Sequence, residues 1–197
     1  MTLCLNFNFI KEKIKNRIVG IAGCGGIGSN CAASLVRSGI QNLIIADFDL
    51  VSEDNLNRQF YFYNQIGQKK VFALKENLLK INPYCNIVAY DIFLNFENIV
   101  EIFKNVDVLV EAFDESFMKK TIIEAKIQHL PNVPLIVANG VAGLFKINEI
   151  KEISFDNIFI FGDGISEVNE NNPCLAPKVS IIANMQANKV LELLLNK

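Results

Sequence analysis

The chain is poor in residues that many enzyme mechanisms depend on. Its 197 residues include a single histidine, His129, which stands without a partner in sequence at the polar end of a helical stretch and reads as a surface residue rather than an acid or base. Five cysteines, Cys4, Cys24, Cys31, Cys85 and Cys174, contain no Cys-x-x-Cys pair, which excludes a readable zinc knuckle or redox dithiol. No structural zinc is expected. The only arginines are Arg17, Arg37 and Arg58, and that scarcity makes Arg58, set in a polar turn, worth explaining. A net charge of −2 gives no support for nucleic acid as the main partner. No apolar run approaches the ~20 residues of a membrane span, and no charged-then-apolar leader is readable. The expectation is a cytoplasmic protein with no membrane partner.

With 51% hydrophobic residues the chain is long enough to bury a substantial core, and it is read as one domain over residues 1–197. Within it the stretch from Arg17 to Gln59 carries the most information. An apolar run, Ile18 to Ala22, breaks into Gly23-Cys24-Gly25-Gly26-Ile27-Gly28 and resumes as an amphipathic pattern. That predicts a buried strand, a tight turn and a helix start. Gly23 permits the turn, Gly25 and Gly26 let a phosphate approach the amides at the helix N-terminus, and Gly28 lets helix and strand pack closely. A second strand, Leu43 to Ala46, ends in Asp47, placed where a carboxylate receives a ribose hydroxyl. Nucleotide binding is the consequence.

That fingerprint alone fits many dehydrogenases, but its sequel does not. Asp47-Phe48-Asp49 sets two carboxylates at alternate positions at the end of a strand. Asn55-Leu56-Asn57-Arg58-Gln59 and Gly67-Gln68-Lys69-Lys70 then bring cations beside the nucleotide. Hydride transfer needs no such cluster, whereas attack on a triphosphate does.

Together GCGGIG, DFDLVSEDNLNRQ, GQKK, INP, LAPKV and MQANKVLELL resemble the ThiF/MoeB family of sulfur-carrier-protein adenylyltransferases, bacterial relatives of ubiquitin-activating enzymes. Short, single-domain ThiF is the form most similar. The resemblance implies ATP and Mg²⁺ as cofactors and a small ubiquitin-like carrier ending in Gly-Gly as partner, activated at its C-terminal carboxylate in thiamine biosynthesis by a homodimer. It implies Arg58, Lys70 and Asp114 as catalytic residues, with Lys69 a fallback for Lys70. Asn55 and Gln59 would orient phosphate or sugar oxygens, and Asp49 and Asp114 would hold Mg²⁺. Members often place an arginine near the N-terminus for a neighbouring subunit's phosphates; here only Lys13, Lys15 or Arg17 offers that charge.

The remaining chain reads as a Rossmann-like α/β fold with a mostly parallel sheet. A helix over Val71 to Ile81 stops at Asn82-Pro83. A strand over Asn86 to Tyr90, a helix over Asn98 to Phe103, and a strand over Val106 to Val110 follow. Glu111, Asp114 and Glu115 are expected to crowd the last strand's end and face Asp47 and Asp49 across the ligand crevice. A helix over Phe117 to Leu130 leads to a strand over Leu135 to Ala138. Strands around Leu144 to Ile150 and Ile158 to Phe161 are expected as antiparallel edge additions. Residues 1–16 form an N-terminal extension, either an edge strand or a short covering helix. Residues 162–176 have the composition of a mobile loop and include Cys174, which is either a buried structural thiol or, as the resemblance implies, a sulfur-transfer cysteine. The helix from Pro177 to Leu195 presents Val179, Ile182, Ala183, Gln186, Val190 and Leu194 to the core or to a second subunit. The competing functions are a nicotinamide oxidoreductase, a non-catalytic ATP- or carrier-binding relative, and an adenylating enzyme whose substrate is a modified tRNA base.

Overall fold

The computed structural model describes residues 6–196; Cys4 and the first part of the N-terminal extension lie outside them. Helix α1 (Phe7–Ile14) is capped by Asn6, whose side chain accepts from the Phe9 amide at 2.9 Å. Its buried Ile14 faces the core, and the helix lies against the C-terminal helix. Of the two readings of this segment, the helix is the one observed.

After α1 the chain alternates strand and helix. It runs through β1 (Ile18–Ala22), α2 (Gly26–Arg37), β2 (Asn42–Asp47), α3 (Lys70–Ile81), β3 (Asn86–Asp91), α4 (Phe96–Phe103), β4 (Val108–Glu111), α5 (Ser116–His129) and β5 (Leu135–Ala138). A hairpin, β6 (Lys151–Phe155) and β7 (Ile158–Gly162), precedes the long α6 (Ala176–Leu195). The sheet order is β3-β2-β1-β4-β5-β7-β6. Strands β2 and β4 both leave β1 on opposite sides, with Ala22 in register with Ala46 and with Glu111. That divergence is the switch point at which an open parallel sheet leaves a crevice.

The parallel strands are apolar because both faces are covered. On one face, residues of β1 and β2 such as Val19, Ile21 and Ile45 pack with Leu35 of α2, Leu74 of α3 and Ile182 of α6. On the other, Leu109 and Leu135 pack with Phe103 of α4 and Ile122 of α5. Gly20 is required by that second layer, since a Cβ there would come within 2.7 Å of the Phe103 ring.

Two expectations are corrected beyond β5. Residues Leu144 to Ile150 do not form a strand. Gly143 and Lys146 take left-handed dihedrals, φ 79° and 65°, and a short 3₁₀ turn follows at Ile147–Glu149. The carbonyls of Ala142 and Phe145 accept from the Lys178 ammonium instead of a neighbouring strand. Strand β7 forms the expected antiparallel edge pair with β6, but it lies inside the edge and runs parallel to β5. The chain stays at the carboxyl end of the sheet after β5, descends along the edge as β6, turns at Asp156 with φ 55°, and ascends as β7 between them. The α6 face from Val179 to Leu194, including Gln186, is buried within the chain. Core packing accounts for it.

Candidate active site

Strand β1 leads directly into the glycine turn. Gly23 has φ 96°, and a Cβ there would stand 2.7 Å from the Ala112 carbonyl oxygen, so the loops after β1 and β4 touch. A Cβ at Gly28 would fall 1.9 Å from the Gly23 oxygen, which makes that glycine obligatory for seating α2 on the turn. Gly25 differs: its nearest neighbour would be Gln59 Nε2 at 3.8 Å. Open space therefore lies in front of the α2 N-terminus, where Gly25 is the cap and supplies no side chain. Unpaired amides there favour an anion. Gly26 serves packing more than ligand approach, because its Cβ would meet Val179 Cγ1 at 3.0 Å.

A crevice of about 750 Å³ opens from this point. On the β2 side Asp47 braces the turn: Oδ2 accepts from the Cys24 amide at 2.6 Å and Oδ1 from the Asp49 amide at 2.8 Å. Burial raises its pKa, against the lowering effect of those two amides. Each oxygen retains a lone pair for a hydroxyl donor. Tyr61 ties the turn to α3, its hydroxyl reaching the Cys24 and Lys70 carbonyls at 2.7 and 3.3 Å. Lys70 is nearly buried and pairs with the half-exposed Asp49 at 2.6 Å. Lys69 lies outside the crevice lining, engaged with Asp91 at 3.1 Å and the Phe48 carbonyl at 2.9 Å.

Arg58 lines the same crevice. Its Nη1 donates to the Asp54 carbonyl at 2.9 Å and to Asn57 Oδ1 at 2.8 Å, and no carboxylate among the described residues forms an ion pair with it. Asn30 fixes the loop by donating to the Arg58 carbonyl and to the Gly26 carbonyl. Gln59 is buried, lines the crevice, and leaves its Oε1 without a partner. The Gln59 atom nearest the open Gly25 position is the amide nitrogen Nε2, a donor that suits a phosphate or sugar oxygen. Asn55 is outside the crevice lining; its Oδ1 accepts from the Ser52 amide at 3.2 Å, a local cap of the 3₁₀ turn.

Across the crevice stand Asp114 and Glu115, but Glu111 does not join them. Its carboxylate is fully buried, paired with Lys119 at 2.8 Å and accepting from the amides of Phe113 and Ala138. Burial raises its pKa, with Lys119 opposing. The expected crowd of three acids is thus two acids and a neutralised third. Lys119, which sequence reasoning missed, also lines the crevice and donates to the Ala138 carbonyl at 3.0 Å. Phe48 and Phe93, in edge contact at 5.0 Å, form an apolar wall beside Asp47. Their sequence neighbours gave no hint that a loop after β3 would reach the crevice.

Among the described residues no three His, Cys, Asp or Glu side chains gather as a metal cluster. Mg²⁺ commonly takes only one or two carboxylates, with phosphate and water completing the shell. Asp49 and Asp114, both lining the crevice, fit that requirement.

Cys174 is half-buried on the crevice wall. Burial pushes its thiol up, Arg58 opposes that, and Asp114 adds to it. Spatial basic neighbours therefore do exist, contrary to what the local sequence implies, yet burial outweighs them. The segment from Gly162 is anchored at its start: Asp163 is buried and pairs with Lys178 at 2.7 Å. His129 is exposed and meets only the edge of Phe96 among rings, at 5.4 Å. Arg17 pairs with Asp107 at 2.9 Å where β1 begins, the end of the strand away from the crevice. No helix is long and apolar enough to cross a membrane, among the described residues.

The chain is similar to known proteins over most of its length. Residues 8–197 match the ThiF family model. A tRNA threonylcarbamoyladenosine dehydratase of Bacillus subtilis is 31% identical over 75% of the chain, and an adenylyltransferase and sulfurtransferase UBA4 of Eremothecium gossypii is 32% identical over 74%. The chain spans 60% of the length of the first and 32% of the second. The crystal structure of E. coli tRNA N6-threonylcarbamoyladenosine dehydratase, TcdA, in complex with AMP superposes with a TM-score of 0.87. At 17% identity, with 95% of this chain and 90% of that one covered, it is a likeness of fold.

Proposed function

The chain belongs to the ThiF family, and from that premise we propose that it activates a carboxylate with ATP, joining it to AMP and releasing pyrophosphate. The observation that carries this reading is the crevice itself. The open Gly25 position at the α2 N-terminus, Arg58 and Lys70 all line this one crevice, so a phosphate held there would have helix amides and two cations in the same cavity.

An acceptor carboxylate is ionised at neutral pH and needs no general base, in keeping with a crevice that has no histidine. Its oxygen attacks the α-phosphorus as the bond to the pyrophosphate oxygen breaks. The obstacle is electrostatic, an anion approaching a polyanion, and is met by fixed cations and positioning. Arg58 offers a planar fork to phosphate oxygens, and Lys70 a point charge released from Asp49 as phosphate arrives. Asp47 accepts from the sugar, and Gln59 Nε2, beside the Gly25 position, donates to a phosphate or sugar oxygen. Mg²⁺, held by Asp49 and Asp114, would neutralise charge on the leaving pyrophosphate.

The acceptor we favour is the C-terminal glycine of a small ubiquitin-like sulfur carrier, of the kind that short ThiF activates in thiamine biosynthesis. Its support is the likeness to an adenylyltransferase and sulfurtransferase and the net charge of −2. A second reading, a carboxylate on a modified tRNA base, is favoured by the Bacillus subtilis relative and by the TcdA likeness. Incubation with ATP, Mg²⁺ and either a Gly-Gly-ended carrier or tRNA, followed by mass detection of an AMP adduct, tests both. An adduct on the carrier alone is expected; an adduct on tRNA alone would transfer the assignment, and hydrolysis to ADP with neither would defeat it.

A further inference from the structure

The most heavily buried charge pair among the described residues lies outside the crevice lining. Lys178, in the first turn of α6, is 1% exposed at its side chain and its partner Asp163 is 0% exposed. The ammonium donates to Asp163 Oδ2 at 2.7 Å and the Ala142 carbonyl at 2.6 Å, and reaches the Phe145 carbonyl and Ser166 Oγ at 3.3 Å. One side chain thereby joins the loop after β5 to the loop after β7. Asp163 in turn accepts from the Ser166 hydroxyl and from the amides of Ile165 and Ser166, so the second loop is folded around it.

Both loops continue into the crevice. Gly140 and Val141 from the first, and Ser166, Glu167 and Val168 from the second, line its side beyond β5. The glycine turn, Asp47 and Lys70 lie on the opposite side, over β1 and β2, and nucleotide bound there leaves the β5–β7 side for whatever attacks it. Exposed Leu144, Phe145, Ile165 and Val168 continue this side outward as an apolar rim.

We infer that Lys178 is a positioning residue for the acceptor: with Asp163 it fixes the two loops that form the acceptor's wall, without touching nucleotide. This rests on the adenylation reading above. A buried charge pair is a costly way to obtain stability alone, since apolar replacements of such pairs are often no worse. Its use here is geometric, because one ammonium satisfies acceptors on both loops at once.

Lys178→Met alone would strand a buried carboxylate and risks unfolding, so the informative variant is Lys178→Met combined with Asp163→Asn, which removes both charges and keeps an acceptor for the Ile165 and Ser166 amides. In that variant Mg·ATP affinity should equal wild type while KM for a Gly-Gly-ended carrier rises at least about tenfold. Amide exchange in residues 140–146 and 163–168 should quicken while β1 and α2 keep their protection. Unchanged carrier KM with unchanged exchange overturns the inference, as does an equal loss of ATP and carrier binding. If wild type transfers AMP to no acceptor, the activity reading fails, and the exchange measurement still decides whether Lys178 fixes the loops.

Discussion

Gly28 and Gly25 lie three residues apart in the turn, and substitution with alanine should separate stability from nucleotide binding. At Gly28 the new Cβ would fall 1.9 Å from the Gly23 oxygen and 3.2 Å from Ala112 Cβ. Restoring even the 3.0 Å that real Cβ contacts respect requires helix and turn to part by about 1.1 Å. The first is backbone and the second an alanine methyl, so no rotamer relieves the clash. Overpacking of this kind costs about 3 kcal/mol, and a chain of this size loses roughly 2–4 °C per kcal/mol. Gly28→Ala should therefore melt roughly 6–12 °C below wild type. Gly25 has a negative φ, −76°, with ψ −147° at the margin of the extended region, and its Cβ would touch nothing nearer than 3.8 Å. Gly25→Ala should melt within about 2 °C of wild type, a change of about 0.5 kcal/mol, yet bind Mg·ATP at least about tenfold more weakly because the methyl occupies the phosphate's approach. Calorimetric melts and titrations measure both. A Gly28→Ala protein with an unchanged melting temperature, or a Gly25→Ala protein with wild-type ATP affinity, would refute the reasoning.

Arg58→Ala removes contacts only to Asn57 and the Asp54 carbonyl, so stability should change by about 0.5 kcal/mol or less while carrier-dependent pyrophosphate exchange falls by about 10²-fold or more. For Asp163, burial alone would raise the carboxyl pKa, but Lys178, Ser166 and two amides outweigh it and hold the group below its ordinary 3.8. Its contribution is complete above that value and is lost as pH falls through the lower folded value; Asp163→Asn should flatten this acid limb in urea melts taken at pH 2–5. Asp47 and Glu111, raised by burial, act in the opposite sense and are common to both proteins. Cys174, its thiol pushed up by burial, should alkylate with iodoacetamide at pH 7.5 more slowly than free glutathione, and Cys174→Ser should still form the acyl-adenylate.

What the sequence revealed and what it hid follow from the range of the interactions. β1 and β5 were legible to the residue because an apolar run ending in glycine or Asn-Gly has few alternatives. The glycine turn was legible because close approach leaves a chemical signature at each position. Lys178 was present in the LAPKV motif, but its burial depends on Asp163 and two carbonyls from a distant loop, which no local pattern encodes. The same holds for Glu111: beside Asp114 and Glu115 it looks like a third crevice acid, and Lys119 at the start of α5, with the Phe113 and Ala138 amides, holds it inward. The Leu144 to Ile150 segment has a strand's composition, and the Lys178 ammonium takes the carbonyls of Ala142 and Phe145 beside it. Asn55 fitted a motif by spacing, whereas its side chain closes a turn.

The central claim is that a carboxylate oxygen attacks the α-phosphorus of ATP in this crevice. Carrier labelled with ¹⁸O at its C-terminal carboxylate should be incubated with the protein, Mg²⁺ and ATP, and the adduct cleaved at its carbonyl with hydroxylamine. The released AMP should carry one ¹⁸O from the carboxylate, with pyrophosphate as co-product; unlabelled AMP, or ADP with phosphate, would contradict the account.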